Sequence, residues 1–211
     1  MAVFFGRKFI CMLKVGVTGG IGSGKSFICQ ILEKMGYPVY YSDIESKIIM
    51  DNDAEIRKEL IAIFGEEVYQ GNQLNRAFLA QQIFTSDSNR KKVNSIVHPK
   101  VRAYFDDWCK SQNCDILFNE AAILFETGAY KKFDRMILVS APKDLKIQRV
   151  ILRDHVSIEE VEQRMSKQWT DEQKSPLSDF IINNDSRPIL SQIEAIVHDL
   201  KLIENTLKKV K

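Results

Sequence analysis

Apolar residues along the chain alternate between two kinds of run. Short β-branched runs predict strands at Leu13–Thr18, Val39–Tyr41, Ile116–Phe118, Arg135–Ser140 and Phe180–Ile182. Between them the spacing changes to that of helices. Phe27, Ile28, Ile31, Leu32 and Met35 mark one apolar face over Lys25–Met35, with Gly36 as its stop signal. Further helices are predicted at Glu55–Phe64, Arg76–Phe84, Ser88–Val97 and Lys100–Lys110, then from Pro142 to about Arg153, and at Ile189–Leu207. Ser42-x-x-Glu45 and Ser157-x-x-Glu160 have the form of capping boxes; the second opens a helix running to about Gln168.

Strands alternating with helices predict an α/β fold, a mostly parallel sheet covered on both faces. The helical block 44–112 is too long for a simple crossover and reads as an inserted acceptor-binding subdomain. The sequence thus divides into a nucleotide-binding core (12–43, 113–142 and 175–207), the insertion (44–112) and a lid (143–174). Residues 1–11 read as an upstream extension without a role in the fold, since Met12 directly precedes a good strand.

Composition narrows the picture modestly. The chain has 211 residues, 45% hydrophobic and 27% charged, which excludes disordered and fibrous classes. Lys+Arg total 30 against 28 for Asp+Glu, a formal charge of +2, so bulk charge does not argue for nucleic-acid binding. Any bound anion must be caught locally. Cys11, Cys29, Cys109 and Cys114 form no C-x-x-C pair and lack zinc-ligand spacing, as expected of reduced cytoplasmic thiols. No apolar run approaches the ~18 residues that span a bilayer.

One segment carries chemistry. Gly19-Gly20-Ile21-Gly22-Ser23-Gly24-Lys25-Ser26 matches G-x-x-x-x-G-K-[ST], placed after a predicted strand and opening a predicted helix. The glycines let backbone N–H groups close on phosphate oxygens, and the helix N-terminus adds its positive dipole end. Lys25 is expected on the β- and γ-phosphates, contacting phosphate rather than core, and the Ser26 hydroxyl on Mg²⁺. No N-K-x-D or L-S-G-G-Q motif accompanies the loop, which argues against a GTPase or a transporter ATPase and for a phosphotransferase.

The remaining candidates have two readings each. Arg149 and Arg153, four apart, with Arg164, Lys146 and Lys167 nearby, are either lid cations that stabilise a transferring phosphoryl group or a solvated helix face. Asp43, after the second strand, is either an acid at the acceptor hydroxyl or a first-turn residue favoured by the helix dipole. Glu120, after the third strand, is a Walker-B-like acid or a loop carboxylate.

From Met12 to about Leu202 the chain resembles the dephospho-CoA kinase family. The motifs are Val17–Ser26; Tyr41-Ser42-Asp43, where the family has D-A-D; Glu120; Ala122-Ile123-Leu124-Phe125-Glu126, where it has P-L-L-F-E; His98-Pro99; Arg149 to Asp154 with Arg164 and Gln168; and Asp179 to Asn184. The resemblance implies a P-loop α/β/α enzyme that moves the ATP γ-phosphoryl to the ribose 3′-hydroxyl of dephospho-CoA, with Mg²⁺. It implies ATP contacts from Gly19 through Ser26, Arg149 and Asn184; acceptor contacts from Asp43, His98 and Glu126; and metal contacts from Ser26 and Glu120. It implies a cytoplasmic enzyme with no nucleic-acid, membrane or obligate protein partner. Another P-loop kinase, for a nucleoside or shikimate-like acceptor, and a nucleotide-binding regulator are the alternatives.

Overall fold

The computed structural model describes residues 12–84 and 86–210. The N-terminal extension read from the sequence, with Cys11, lies outside them. The chain divides into two compact units, one of residues up to Tyr40 together with Asn113 onward, the other Tyr41–Gln112.

The first unit is built on a five-stranded sheet of order β2-β5-β1-β6-β7. Its strands are β1 (Leu13–Thr18), β2 (Val39–Tyr41), β5 (Ile116–Glu120), β6 (Arg135–Ser140) and β7 (Phe180–Asn183). The β1–β5, β1–β6 and β6–β7 pairs are parallel, with Val17 opposite Glu120 and Thr18 opposite Leu138. All five residues of β5 are buried, as in a central strand covered on both faces. Gly16 leaves the room that Met136 uses; a Cβ there would stand 2.5 Å from its sulfur. Helices α1 (Lys25–Lys34), α6 (Lys143–Asp154), α7 (Ile158–Met165), the one-turn α8 (Asp171–Lys174) and α9 (Ile189–Val210) complete this unit.

Several expectations are corrected. Helix α1 buries Ile28, Cys29 and Leu32, but Phe27 is exposed, so its apolar stripe is narrower than the sequence suggests. The Ser42 capping box does not form, because Tyr41 is the cap residue and Ser42 is already helical in α2 (Ser42–Asn52). The Ser157 box does form, and α7 ends at Met165 rather than near Gln168.

The second unit holds α2, α3 (Ala54–Phe64), a short hairpin of β3 (Tyr69–Gln70) and β4 (Gln73–Leu74), α4 (Arg76–Phe84) and α5 (Asp87–Ser111). The two helices expected at Ser88–Val97 and Lys100–Lys110 are one helix of 25 residues with Pro99 inside it. Ile49, Ile56, Leu60, Leu79, Val93 and Val97 form the heart of its core. Burying a side chain the size of Leu60 contributes about 1.5–3 kcal/mol.

Candidate active site

The loop from Gly19 to Ser26 leaves the C-terminal end of β1 and becomes the first turn of α1. Gly24 caps α1 in the left-handed region at φ 93°, and a Cβ there would collide with the Asn184 side chain. A Cβ on Gly22, at φ 79°, would meet the Lys146 backbone. The glycines therefore serve packing of the loop against its own neighbours.

Lys25 is buried rather than extended into solvent, and its Nζ lies 3.7 Å from Glu120 Oε1. Glu120 ends β5, beside the end of β1, and is buried too. The Lys25 ammonium and the Glu120 carboxylate are thus brought together by strand register, across 95 residues of sequence. Burial first, then the Glu120 charge, pushes the nearby Cys29 thiol far above its usual range, so Cys29 stays a neutral core residue. Ser26, one residue past Lys25, is exposed.

Arg149, on α6, reaches the back of the loop. Its guanidinium donates to Gly22 O at 3.5 Å, to Asn184 O at 3.2 Å and to Asn184 Oδ1 at 3.3 Å. Asn184, just past β7, is buried; its amide donates to Ser23 O at 2.8 Å, and its backbone N–H to Ser140 O at 2.7 Å. Two of the residues expected on ATP are therefore joined to each other and to the loop. The other two arginines of the expected basic group are not part of this set. Arg153 and Arg164 both pair with Asp154, whose carboxyl is held below its ordinary range chiefly by hydrogen bonding from Arg153.

Gln168 accepts the Ile21 N–H at 2.9 Å, through its side-chain oxygen. Beside Gly20 opens a cleft of about 630 Å³ whose lining includes Lys143, Lys146, Asp171, Asp185 and Arg187. Its cations are all paired within the protein: Lys143 with Glu162 at 2.8 Å, Lys146 with Asp171 at 2.5 Å and Arg187 with Asp185 at 2.7 Å. Asp171 also accepts from the Ser140 hydroxyl at 2.6 Å. Such a self-neutralised lining exerts little net pull on an anion.

Glu126, expected at the acceptor, makes two contacts within this unit through one oxygen. Its Oε1 accepts the Trp169 N–H at 2.9 Å and stands 2.9 Å from Lys174 Nζ. Sequence reasoning missed Lys174 and Asp171 altogether. The only signal was Thr170-x-x-Gln173, a capping box that the structure forms and that fixes α8.

In the second unit, Asp43 lies in the first turn of α2 and is exposed. His98, on α5, is half-buried, and burial first, then Arg102, pulls its pKa below the usual imidazole value.

Comparison with known proteins shows which family the chain resembles. The family model described as dephospho-CoA kinase matches residues 13–189. The dephospho-CoA kinase of Bacteroides fragilis (strain YCH46) is 43% identical over 187 residues, 88% of this chain and 91% of that protein. Among solved structures, the Thermus thermophilus protein TT1252 superposes with a TM-score of 0.80 at 30% identity, covering 90% of this chain and 97% of that one. The dephospho-CoA kinase from Campylobacter jejuni gives a TM-score of 0.64 at 26% identity, covering 92% and 98%.

Proposed function

The chain belongs to the dephospho-CoA kinase family, and from that premise we propose how its residues share the transfer of the ATP γ-phosphoryl group to the ribose 3′-hydroxyl of dephospho-CoA, the final step of coenzyme A synthesis. The observation that carries the assignment of roles is the buried pair of Lys25 and Glu120 at the mouth of a glycine loop braced by Arg149 and Asn184.

The loop N–H groups and the N-terminus of α1 hold the triphosphate, and Lys25 neutralises its β- and γ-oxygens. Lys25 begins from the Glu120 carboxylate, so the protein keeps its ammonium aligned before nucleotide arrives. Ser26 and Glu120 offer a hydroxyl and a carboxylate oxygen, a donor set that suits a hard divalent cation sharing its other positions with phosphate and water. Mg²⁺ held there would supply charge neutralisation to the triphosphate.

Arg149 sits next to the loop, ready to neutralise charge that builds on the γ-phosphoryl group. Asn184 seats the loop and Arg149 together. Asp43 orients the acceptor hydroxyl and takes its proton as the new P–O bond forms. His98 is an acceptor-side residue that arrives neutral, since burial disfavours its charged form. Residues 143–174 act as the lid over the nucleotide, and 41–112 as the acceptor-binding unit. We place the reaction in the cytoplasm, where both substrates are soluble.

Release of ADP by the purified chain, with ATP, Mg²⁺ and dephospho-CoA, is the direct test. Turnover with dephospho-CoA and little with nucleosides or shikimate is expected. Equal or faster turnover with one of those acceptors would move the chain to another P-loop kinase activity.

A further inference from the structure

Lys174 is fully buried, a position that lysine takes only when its charge is met. Its Nζ stands 2.9 Å from Glu126 Oε1 and donates to Ala122 O at 3.2 Å. Both acceptors lie in the turns that follow β5, a few residues past Glu120. Ala122 O also accepts from the Thr18 hydroxyl at 3.3 Å, the last residue of β1 before the phosphate loop. Glu126 Oε1 in turn receives the Trp169 N–H.

Between Trp169 and Lys174 the chain has little freedom. Thr170 and Gln173 cap one another reciprocally, with Thr170 N to Gln173 Oε1 at 2.9 Å and Gln173 N to Thr170 Oγ at 3.3 Å. Gln168, directly before this braced turn, places its carboxamide oxygen on the Ile21 N–H of the phosphate loop. A continuous set of fixed contacts thus runs from Lys174 to the loop.

As a source of stability the pair is a poor choice. Glu126 Oε2 is buried with no hydrogen-bond partner among the described residues. Buried ion pairs are commonly replaceable by apolar side chains without loss of stability. An apolar replacement would fill the space, but it would not fix one oxygen at a set distance from both Trp169 N and the ammonium. The arrangement therefore specifies position.

We infer that Lys174 is a positioning residue for phosphoryl transfer: through Glu126 and Trp169 it holds Gln168 against the Ile21 N–H and so sets the conformation of the phosphate loop. Its kinetic side rests on the dephospho-CoA kinase reaction; its structural side does not.

Three variants test it: Gln168→Ala, the pair Glu126→Leu/Lys174→Met, and the combination of all three. Exchange of the Ile21 amide hydrogen, followed by NMR without substrate, should quicken about tenfold or more in each. The kcat for dephospho-CoA should fall about ten- to a hundredfold in the first two, the scale of a small misplacement remote from the chemistry. Because both act on one contact, the combined variant should lose no more than the worse of the two. The pair variant should melt at or above the wild-type temperature, which a purely stabilising role would not allow together with lost activity. Unchanged Ile21 exchange in the pair variant, wild-type kcat in Gln168→Ala, or losses that multiply in the combination would each overturn the inference. If the pair variant does not fold, Lys174→Arg, which keeps the charge but not its geometry, is read against the same outcomes. The exchange measurement needs no acceptor, so an inactive wild-type chain would count against the reaction and still leave that readout to decide.

Discussion

Lys25 shows how a residue's neighbours change what its loss should do. The sequence alone suggests a lysine that touches only phosphate, so that its removal would spare the fold. In the structure it is buried beside Glu120, and Lys25→Met would strip that carboxylate of a near counter-charge. The variant should lose about 10²–10³-fold in kcat, as when one preorganised charge stabiliser is removed. It should also lose about 1–3 kcal/mol of stability, the cost of leaving a buried polar group poorly met. Adding Glu120→Gln should restore the melting temperature and not the activity; a single variant that melts like wild type would show that Glu120 is satisfied without Lys25. His98 gives a pH signature. Its pKa is depressed in the fold, so below the unfolded value of about 6.5 the unfolded chain binds more protons and stability falls as pH falls. Denaturant midpoints between neutral and mildly acidic pH should drop in the wild type and drop less in His98→Gln. Equal slopes in the two proteins would place the acid sensitivity in other groups.

At the scale of elements, the sequence was most legible where one local pattern decides. The glycine loop, the strand before it and the helix after it all stand where periodicity puts them, because turn chemistry and β-branching act over a few residues. Helix α5 reads as two helices in the sequence because Pro99 breaks the local hydrogen-bond ladder. It continues because Val93, Val97, Phe105 and Cys109, with Val101 packed between, keep an apolar face four residues apart that offsets the roughly 3 kcal/mol a proline costs. The β3–β4 hairpin has strands of two residues each, too few for alternation to show in the sequence; Gly71-Asn72 at its turn is the local cue. The start of α2 carries a prediction of its own. Asp43 lies exposed in its first turn, where its side chain is open to an acceptor hydroxyl. Asp43→Asn keeps the shape and removes the charge, so kcat should fall at least about a hundredfold with the affinity for ATP nearly unchanged. A loss of less than about tenfold, below the usual span of general-base effects, would move the acceptor role to another acid.

Over the whole molecule, what the sequence could not display is contact between distant segments. Gln168 and Ile21, Lys174 and Glu126, and Asn184 and Ser23 meet only once β1, β5, β6 and β7 are laid side by side, and nothing in a one-dimensional pattern marks a lysine that will end up fully buried. Glu126 illustrates the consequence: resemblance suggests an acceptor contact, and the fold adds two contacts the sequence does not display, from Lys174 and the Trp169 N–H to its Oε1. The division into two compact units supports a division of labour that ligand binding can expose. If the loop unit takes the nucleotide and residues 41–112 take the acceptor, each ligand should slow backbone hydrogen exchange in its own unit. Ligand that binds only the native state at about a hundred times its dissociation constant adds about 2.7 kcal/mol of stability, enough to change exchange markedly where opening is global. ADP with Mg²⁺ should therefore protect the loop, α1 and the segment around Asn184. Dephospho-CoA alone should protect α2, with Asp43, and α5, with His98. Protection by dephospho-CoA confined to the loop unit would place the acceptor site there and remove both Asp43 and His98 from it.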